Sequence, residues 1–238
     1  MSAPGLFPMF LKLAGRKCVV VGAGEIATAK IASLLEAGAR VTVVAPRALE
    51  ETRELARRGE IEWLEREYAG VADLDGAFVA IAATADASVN GRVFADAQER
   101  GILCNAVDDP PNCDFYFGAV VKRGALQVAI SSAGESPALV QRLRREIDAR
   151  LDPGTGEWLR VVGELRREIL AEYPASDARK QALHRLAQVE VCEARECPAR
   201  LAAHSQAASG ATGVRDTDAN ADVDAPEQLR LIPAEVAR

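Results

Sequence analysis

The stretch Lys17-Cys18-Val19-Val20-Val21-Gly22-Ala23-Gly24-Glu25-Ile26-Ala27 decides the fold. Its first five residues are a short, mostly apolar run that stops at a glycine, the pattern of a strand buried on both faces. Ile26, Ile31, Leu34 and Leu35 then supply apolar positions up to Gly38, so the spacing predicts a helix over 26–37. Gly22 permits a tight turn between the two, and Gly24 lets the backbone approach a pyrophosphate. The helix N-terminus behind them offers free N–H groups to that anion. Ala27 stands where a third glycine is common and is still small enough for close helix–strand packing. In this strand–turn–helix setting the motif predicts a dinucleotide site.

The pattern repeats outward. Val41-Thr42-Val43-Val44-Ala45 reads as a second buried strand, 61–64 as a third, 77–82 as a fourth and 102–107 as a fifth. Pro46 is expected to open one intervening helix, and another is expected near Asp86 or Ala87. Strict alternation predicts an α/β, Rossmann-type parallel sheet with ligands at the carboxyl ends of its strands. Gly22, Pro46, Thr84 and Asp108 all fall at that edge, and Thr84 joins the expected cofactor contacts. The acidic residue that usually holds the adenosine ribose, about 20 positions on, is absent. Val44-Ala45-Pro46-Arg47 stand there instead. Backbone groups can hold the ribose of NAD at that point, or Arg47 can select the 2′-phosphate of NADP. Spacing leaves both open.

After Pro110-Pro111 the pattern changes. Runs at 117–121 and 126–131 predict an antiparallel hairpin, and Ser136-Pro137 is a serine N-cap followed by proline at the first helical position. That helix is expected to reach about 151, with further helices near 156–171 and 177–195. The expected organisation is a Rossmann domain over 1–111, a dimerisation region over 112–150 and a small helical domain over 151–204. The tail 205–238 has three arginines, six acidic residues and little bulky apolar spacing before Pro226, so disorder is expected there.

Composition narrows the function. The 238 residues are 49% apolar and 27% charged, ordinary globular usage. A net charge of −6 argues against non-specific nucleic-acid binding, and 5% aromatic residues argue against a single-strand stacking platform. No apolar run approaches a membrane span, and the opening residues lack a signal-peptide layout. Five scattered cysteines fit a reducing cytoplasm better than a disulfide framework. The only histidines are His184 and His204, and Cys192 and Cys197 form a CxxxxC with no partner pair, so no metal site is expected. With no histidine in the Rossmann half, proton transfer there must use a carboxylate, hydroxyl, thiol or amine.

Three groups remain as chemistry. Asn105-Ala106-Val107-Asp108-Asp109-Pro110-Pro111 puts a carboxamide and two carboxylates where the fifth strand opens into the crevice. A carboxylate there can take a proton or meet a cation, while Asp-Asp-Pro is equally an ordinary turn opener. Ser131-Ser132-Ala133-Gly134-Glu135-Ser136-Pro137 reads as an anion-binding loop, or as a cap alone. Arg142, Arg144, Arg145 and Arg150 form a solvated helix face or a grip for carboxylates.

Together these segments resemble the precorrin-2 dehydrogenase/sirohydrochlorin ferrochelatase family, which includes the N-terminal module of siroheme synthase. The resemblance runs from about residue 6 to 170. Its stretches are Phe10-Leu11-Lys12-Leu13, Cys18 to Gly24, Leu34 to Val43, Ala80 to Thr84, Val89-Asn90, Cys104 to Asp108 and Val128 to Ala138. It implies oxidation of precorrin-2 to sirohydrochlorin with NAD+ as hydride acceptor, with Fe2+ insertion at the same site in many members. It further implies that Glu25 and Ile26 lie against the cofactor and Pro46 and Arg47 at its ribose. Asp108 matches the family's active-site aspartate, and Ser132 matches the second serine of its Ser-Ser-x-Gly motif near the tetrapyrrole. Asn105 is expected beside the same substrate, with Lys122, Arg123 and the arginines after Pro137 as clamps for its carboxylates. A homodimer exchanging central segments is implied as well. One departure is Ala29-Lys30, where the family usually has Arg-Lys.

Two rival readings stay open: a non-catalytic dinucleotide-sensing module, and an NADP-linked reductase of another small molecule.

Overall fold

The computed structural model describes residues 5–188 and 196–210. Its sheet holds β1 (Lys17–Val21), β2 (Arg40–Val44), β3 (Ile61–Leu64), β4 (Val79–Ala82) and β5 (Leu103–Ala106), in the order β3-β2-β1-β4-β5. Every neighbouring pair is parallel. The register places Val21 beside Val44 and Ala82, and Ala82 beside Ala106, so four strands end at one level. Chain order reverses between β1 and β4, which is where an open parallel sheet forms its crevice. The Rossmann-type expectation is met.

The strands are buried because their two faces enter two cores. Cys18 and Val20 face α1 (Glu25–Glu36) with Ile31, Leu34, Val41, Val43 and Ile81. Val19 and Val21 face the opposite core, which holds Leu74, Ala80, Ala82, Val93, Ala97 and Cys104. Each fully buried valine or isoleucine contributes about 1.5–3 kcal/mol. The helix α3 (Ala87–Glu99) supplies Val93 and Ala97; its N-cap Asp86 accepts from the N–H of Ser88 at 2.8 Å and of Val89 at 3.4 Å.

Pro46 does not open a helix. The helix α2 spans Glu50–Arg57, because the Leu49 N–H is already spent on the carbonyl of Ala23 at 3.2 Å and holds 45–49 as a loop. The sheet layer also continues past Pro111. The Asp114 carboxylate accepts from the Cys104 N–H at 2.8 Å, and Phe115 packs on the core.

The hairpin is β6 (Ala119–Arg123) and β7 (Leu126–Ile130), turning at Gly124-Ala125. The following helix α4 spans Pro137–Arg150, with the Leu139 N–H donating to Ser136 Oγ at 3.3 Å, as the cap reading predicts. The chain divides into two compact units. The first contains the sheet through Val121 together with Ala129–Asp148; the second contains Lys122–Val128 and the chain from Ala149 onward.

In the second unit α5 (Thr155–Glu172), α6 (Asp177–Leu186) and α7 (Pro198–Ser209) bury Val161, Leu165, Ile169, Ala182, Leu186, Ala203 and Ala207. The expected disordered tail therefore begins too early. Residues 205–209 are helical, since Ala203 and Ala207 form a buried face of small side chains. Cys192 and residues 211–238 lie outside the described residues.

Candidate active site at the carboxyl edge of the sheet

The glycine turn divides its work between two residues. Gly22 has φ +107°, and a Cβ there would stand 2.4 Å from the Ala83 carbonyl oxygen, so the fold itself demands glycine. Gly24 is the N-cap of α1 with extended φ −80° and ψ −174°; a Cβ there would meet nothing within 4 Å. It offers no side chain to cap the helix, leaving the first amides of α1 open to an outside acceptor. Ile26, in that first turn, is 50% exposed, an apolar surface for a ring to cover. A dinucleotide fits these features: a pyrophosphate on the uncapped amides, approached over bare backbone.

Around the turn stand the ends of the other strands. The Gly22 N–H donates to the Val44 carbonyl at 2.9 Å. Pro46 and Arg47 follow in an exposed loop. At the end of β4, Thr84 is held by a residue absent from the expected set. Buried Asn90 accepts through Oδ1 from the Thr84 N–H at 3.1 Å and lies 2.8 Å from its hydroxyl, while its Nδ2 donates back to the Thr84 carbonyl at 3.1 Å. Sequence marks Asn90 only as part of the Val89-Asn90 stretch of the resemblance, without a role, and its clamp depends on a loop folding back over it.

The two carboxylates after β5 separate cleanly. Asp109 belongs to the turn: its Oδ2 accepts from Asn112 Nδ2 at 2.6 Å, and its carbonyl accepts from the Cys113 thiol at 3.3 Å. Asp108 is exposed, has φ +60°, and has no hydrogen-bond or ion-pair partner among the described residues. A non-glycine residue held in the left-handed region costs about 1 kcal/mol, a strain that collects at functional positions. Burial pushes the Cys113 thiol up, so it is neutral near pH 7 and serves as a donor to the Ala106 carbonyl at 3.1 Å.

Asn105, expected beside the substrate, is engaged within the fold. Its side chain is buried and its Nδ2 donates to the Phe115 carbonyl at 2.8 Å, pinning the segment after the turn against β5. Arg123 is likewise committed: its guanidinium donates to the Leu151 carbonyl at 3.1–3.3 Å. Ser132 Oγ accepts from the Ser136 N–H at 3.0 Å, and Ala133 beside it has φ +52°, a second strained position. No hydrogen bond among the described residues joins this serine loop to the glycine turn or to Asp108. Lys30, which follows the departure at Ala29 in α1, stacks its ammonium 3.6 Å from the Phe117 ring centroid; burial lowers its pKa.

Comparison with known proteins bears on this edge directly. Residues 9–119 match an NAD(P)-binding family, and residues 123–150 match the family described as sirohaem biosynthesis protein central. A siroheme synthase of Chromobacterium violaceum is 43% identical over 175 residues, which is 74% of this chain and 37% of that one. Siroheme synthase 1 of Cronobacter sakazakii is 44% identical over 159 residues, 67% of this chain and 34% of its own. The solved structure of SirC, precorrin-2 dehydrogenase, superposes with a TM-score of 0.66 at 27% identity, covering 86% of this chain and 100% of that one. Across these regions the chain is similar to siroheme synthases and to a solved precorrin-2 dehydrogenase.

It spans about a third of the length of the curated siroheme synthases it matches. The NAD(P)-binding match contains the glycine turn, Thr84 and Asp108, and the central match contains Ser132. The similarity reaches the whole of the solved dehydrogenase.

Proposed function

We propose that this chain oxidises precorrin-2 to sirohydrochlorin, with NAD+ as hydride acceptor and Asp108 as the base. The observation that carries the reading is the unpartnered Asp108 carboxylate. It is strained at the end of β5, on the same sheet edge as the uncapped N-terminus of α1. The oxidation removes a hydride and a proton; NAD+ takes the hydride when bound. Asp108 takes the proton, its side chain exposed and without a partner among the described residues. Gly24, Glu25 and Ile26 would hold the dinucleotide at the helix end, with Pro46 and Arg47 at its ribose and Thr84 beside them. Asn90 and Asn105 position these loops rather than touch ligand.

The same carboxylate suits a second reaction, insertion of Fe2+ as substrate into sirohydrochlorin to give siroheme. Two pyrrole protons leave as the cation enters, and an anionic base beside the ring assists both changes.

A homodimer built on the central region is part of this reading. Of the 14 residues of α4 only Val140 is buried, and Val120 and Leu139 are exposed. A two-stranded sheet alone is marginal in water, and a second copy would cover these faces. Ser132, unlinked to the crevice of its own chain, would then approach a tetrapyrrole from the partner. A cytoplasmic location accords with the free thiols of Cys18, Cys104 and Cys113.

The test is purified chain mixed anaerobically with precorrin-2 and NAD+, followed by absorption. The sirohydrochlorin spectrum appearing at a protein-dependent rate supports the reading. Dinucleotide binding without turnover points to the sensing module instead. Sirohydrochlorin with Fe2+ or Co2+, against a protein-free control, tests the metal insertion.

A further inference from the structure

We propose that Cys113 is a positioning residue for the Asp108 base, its sulfur bridging the backbone on both sides of Asp108 and holding the carboxylate in its strained setting. The inference rests on the proposed oxidation and concerns what keeps its base in place.

Asp108 stands in a turn that does not favour it. The Asp109 N–H donates to the Ala106 carbonyl at 3.2 Å, closing a four-residue turn with Val107 and Asp108 at its centre. Asp108 is the third residue of that turn and has φ +60°, a place ordinarily filled by glycine or asparagine. The closing bond lies at the long end of the hydrogen-bond range and is a weak hold by itself. Left to that bond, the turn would relax toward negative φ and carry the carboxylate with it.

Cys113 supplies the further hold. Its Sγ lies 3.1 Å from the Ala106 carbonyl and 3.3 Å from the Asp109 carbonyl, one on each side of Val107-Asp108. Burial keeps the thiol protonated near pH 7, so its proton is a donor shared between the two oxygens. The sulfur in turn accepts from Asn105 Nδ2 at 3.2 Å. Asn112 fixes the side chain of Asp109, whereas Cys113 fixes the backbone from which Asp108 projects.

The support behind the sulfur is rigid. Cys113 pairs with Asn105 in an antiparallel bridge, and the Asp114 N–H donates to the Cys104 carbonyl at 2.8 Å. The Asp114 carboxylate accepts from the Cys104 N–H at 2.8 Å and from Gln98 Nε2 of α3 at 2.8 and 3.0 Å. The clamp therefore ties Asp108 to β5 and α3, elements of the buried sheet layer, and not to its own loop alone.

The experiment is single-turnover oxidation of precorrin-2 with NAD+ by the full chain in wild type, Cys113→Ala, Cys113→Val and Cys113→Ser. Thermal melts and NAD+ titration first show which variants are folded. Alanine and valine both remove the donor, one opening a gap and the other filling it, so loss of fold in one leaves the other to report. Both should be about tenfold or more slower than wild type, with the Kd for NAD+ within about twofold. Serine keeps a donor and should stay within about threefold of wild type. Cys113→Val combined with Asp108→Asn should be no more than about twofold slower than Asp108→Asn alone, because the clamp acts through that carboxylate. A merely structural cysteine would multiply the two losses. In crystal structures of wild type and Cys113→Val, Asp108 should leave the left-handed region in the variant. Wild-type rates in both donor-free variants, multiplied losses in the double variant, or an unmoved Asp108 overturn the inference. A wild type that binds both molecules without turnover defeats the proposed function, and the angle at Asp108 still decides whether Cys113 holds it.

Discussion

Gly22 lies against Ala83 across the seam between β1 and β4, so closely that a Cβ would reach within 2.4 Å of the Ala83 carbonyl oxygen. Gly24, two residues on, borders open space. Of the two glycines of one motif, the first therefore serves the fold, and the second is left open for the proposed dinucleotide. Gly22→Ala should cost about 2–4 kcal/mol, from backbone strain at φ +107° and overpacking against a carbonyl that cannot retreat. Gly24→Ala should change stability by less than about 1 kcal/mol yet weaken dinucleotide binding severalfold or more. Urea denaturation and titration calorimetry on both variants check the division.

The adjacent carboxylates of Asp108 and Asp109 should part company in the same way. Asp108→Asn is expected to lower kcat about 100-fold or more at unchanged dinucleotide affinity, since a carboxamide takes no proton. Asp108→Gly should go further: activity lost, stability raised by about 0.5–1 kcal/mol as the left-handed strain at φ +60° is released. Asp109→Ala should instead lower stability by about 1 kcal/mol through loss of the bond from Asn112. Steady-state kinetics beside denaturation curves read both quantities.

Asn90 offers a test of how the loop after β4 is held. Replacing it with alanine leaves the Thr84 N–H and carbonyl without their buried partners and should cost about 2–3 kcal/mol. Dinucleotide affinity should fall too, because the loop bordering the glycine turn loosens. A thermal melt with and without ligand shows whether the two losses travel together.

Acid sensitivity should be traceable to Asp73. Its carboxylate is buried, takes two bonds from Arg66 at 2.5 and 2.9 Å and accepts from the Ala69 N–H at 2.8 Å, and the Arg66 bond foremost holds its pKa below the usual range. A depressed folded-state pKa gives stability that is fully present above the unfolded value, about 3.9, and is lost as pH falls through the lower folded value. The stability gap between wild type and Asp73→Asn should therefore be widest near neutral pH and close steadily below about pH 4. Denaturation midpoints at several pH values measure that gap, and a constant gap would contradict the assignment.

Much of this was written in the chain. β1 coincides with the run 17–21, because a strand buried on both faces needs apolar residues, and β3 coincides with 61–64 although it is an edge strand with Glu62 exposed. Asp108 was legible by position, at the end of a fifth strand in a half without histidine. Its distinction from Asp109 was not, since it lies in a backbone angle and in which carboxylate Asn112 occupies. Asn105 looked like a ligand contact because strand ends face the crevice, yet the chain after the turn folds back and takes its amide. The last helix is hard to see in the sequence because its buried residues are Ala203 and Ala207, with no bulky side chain to mark the period. The start of α2 at Glu50 rather than Pro46 depended on a hydrogen bond to Ala23, formed only once the sheet is assembled.

In the proposed mechanism an unpartnered carboxylate at the end of β5 takes the proton as a tetrapyrrole gives up its hydride. The most direct measurement of that step is single-turnover oxidation of precorrin-2 by wild type and Asp108→Asn, each first shown to bind NAD+ equally. The account predicts one NADH formed per sirohydrochlorin in wild type and a rate at least about 100-fold slower in the variant. Equal rates in the two proteins, or no turnover by a wild-type chain that binds both molecules, would contradict it.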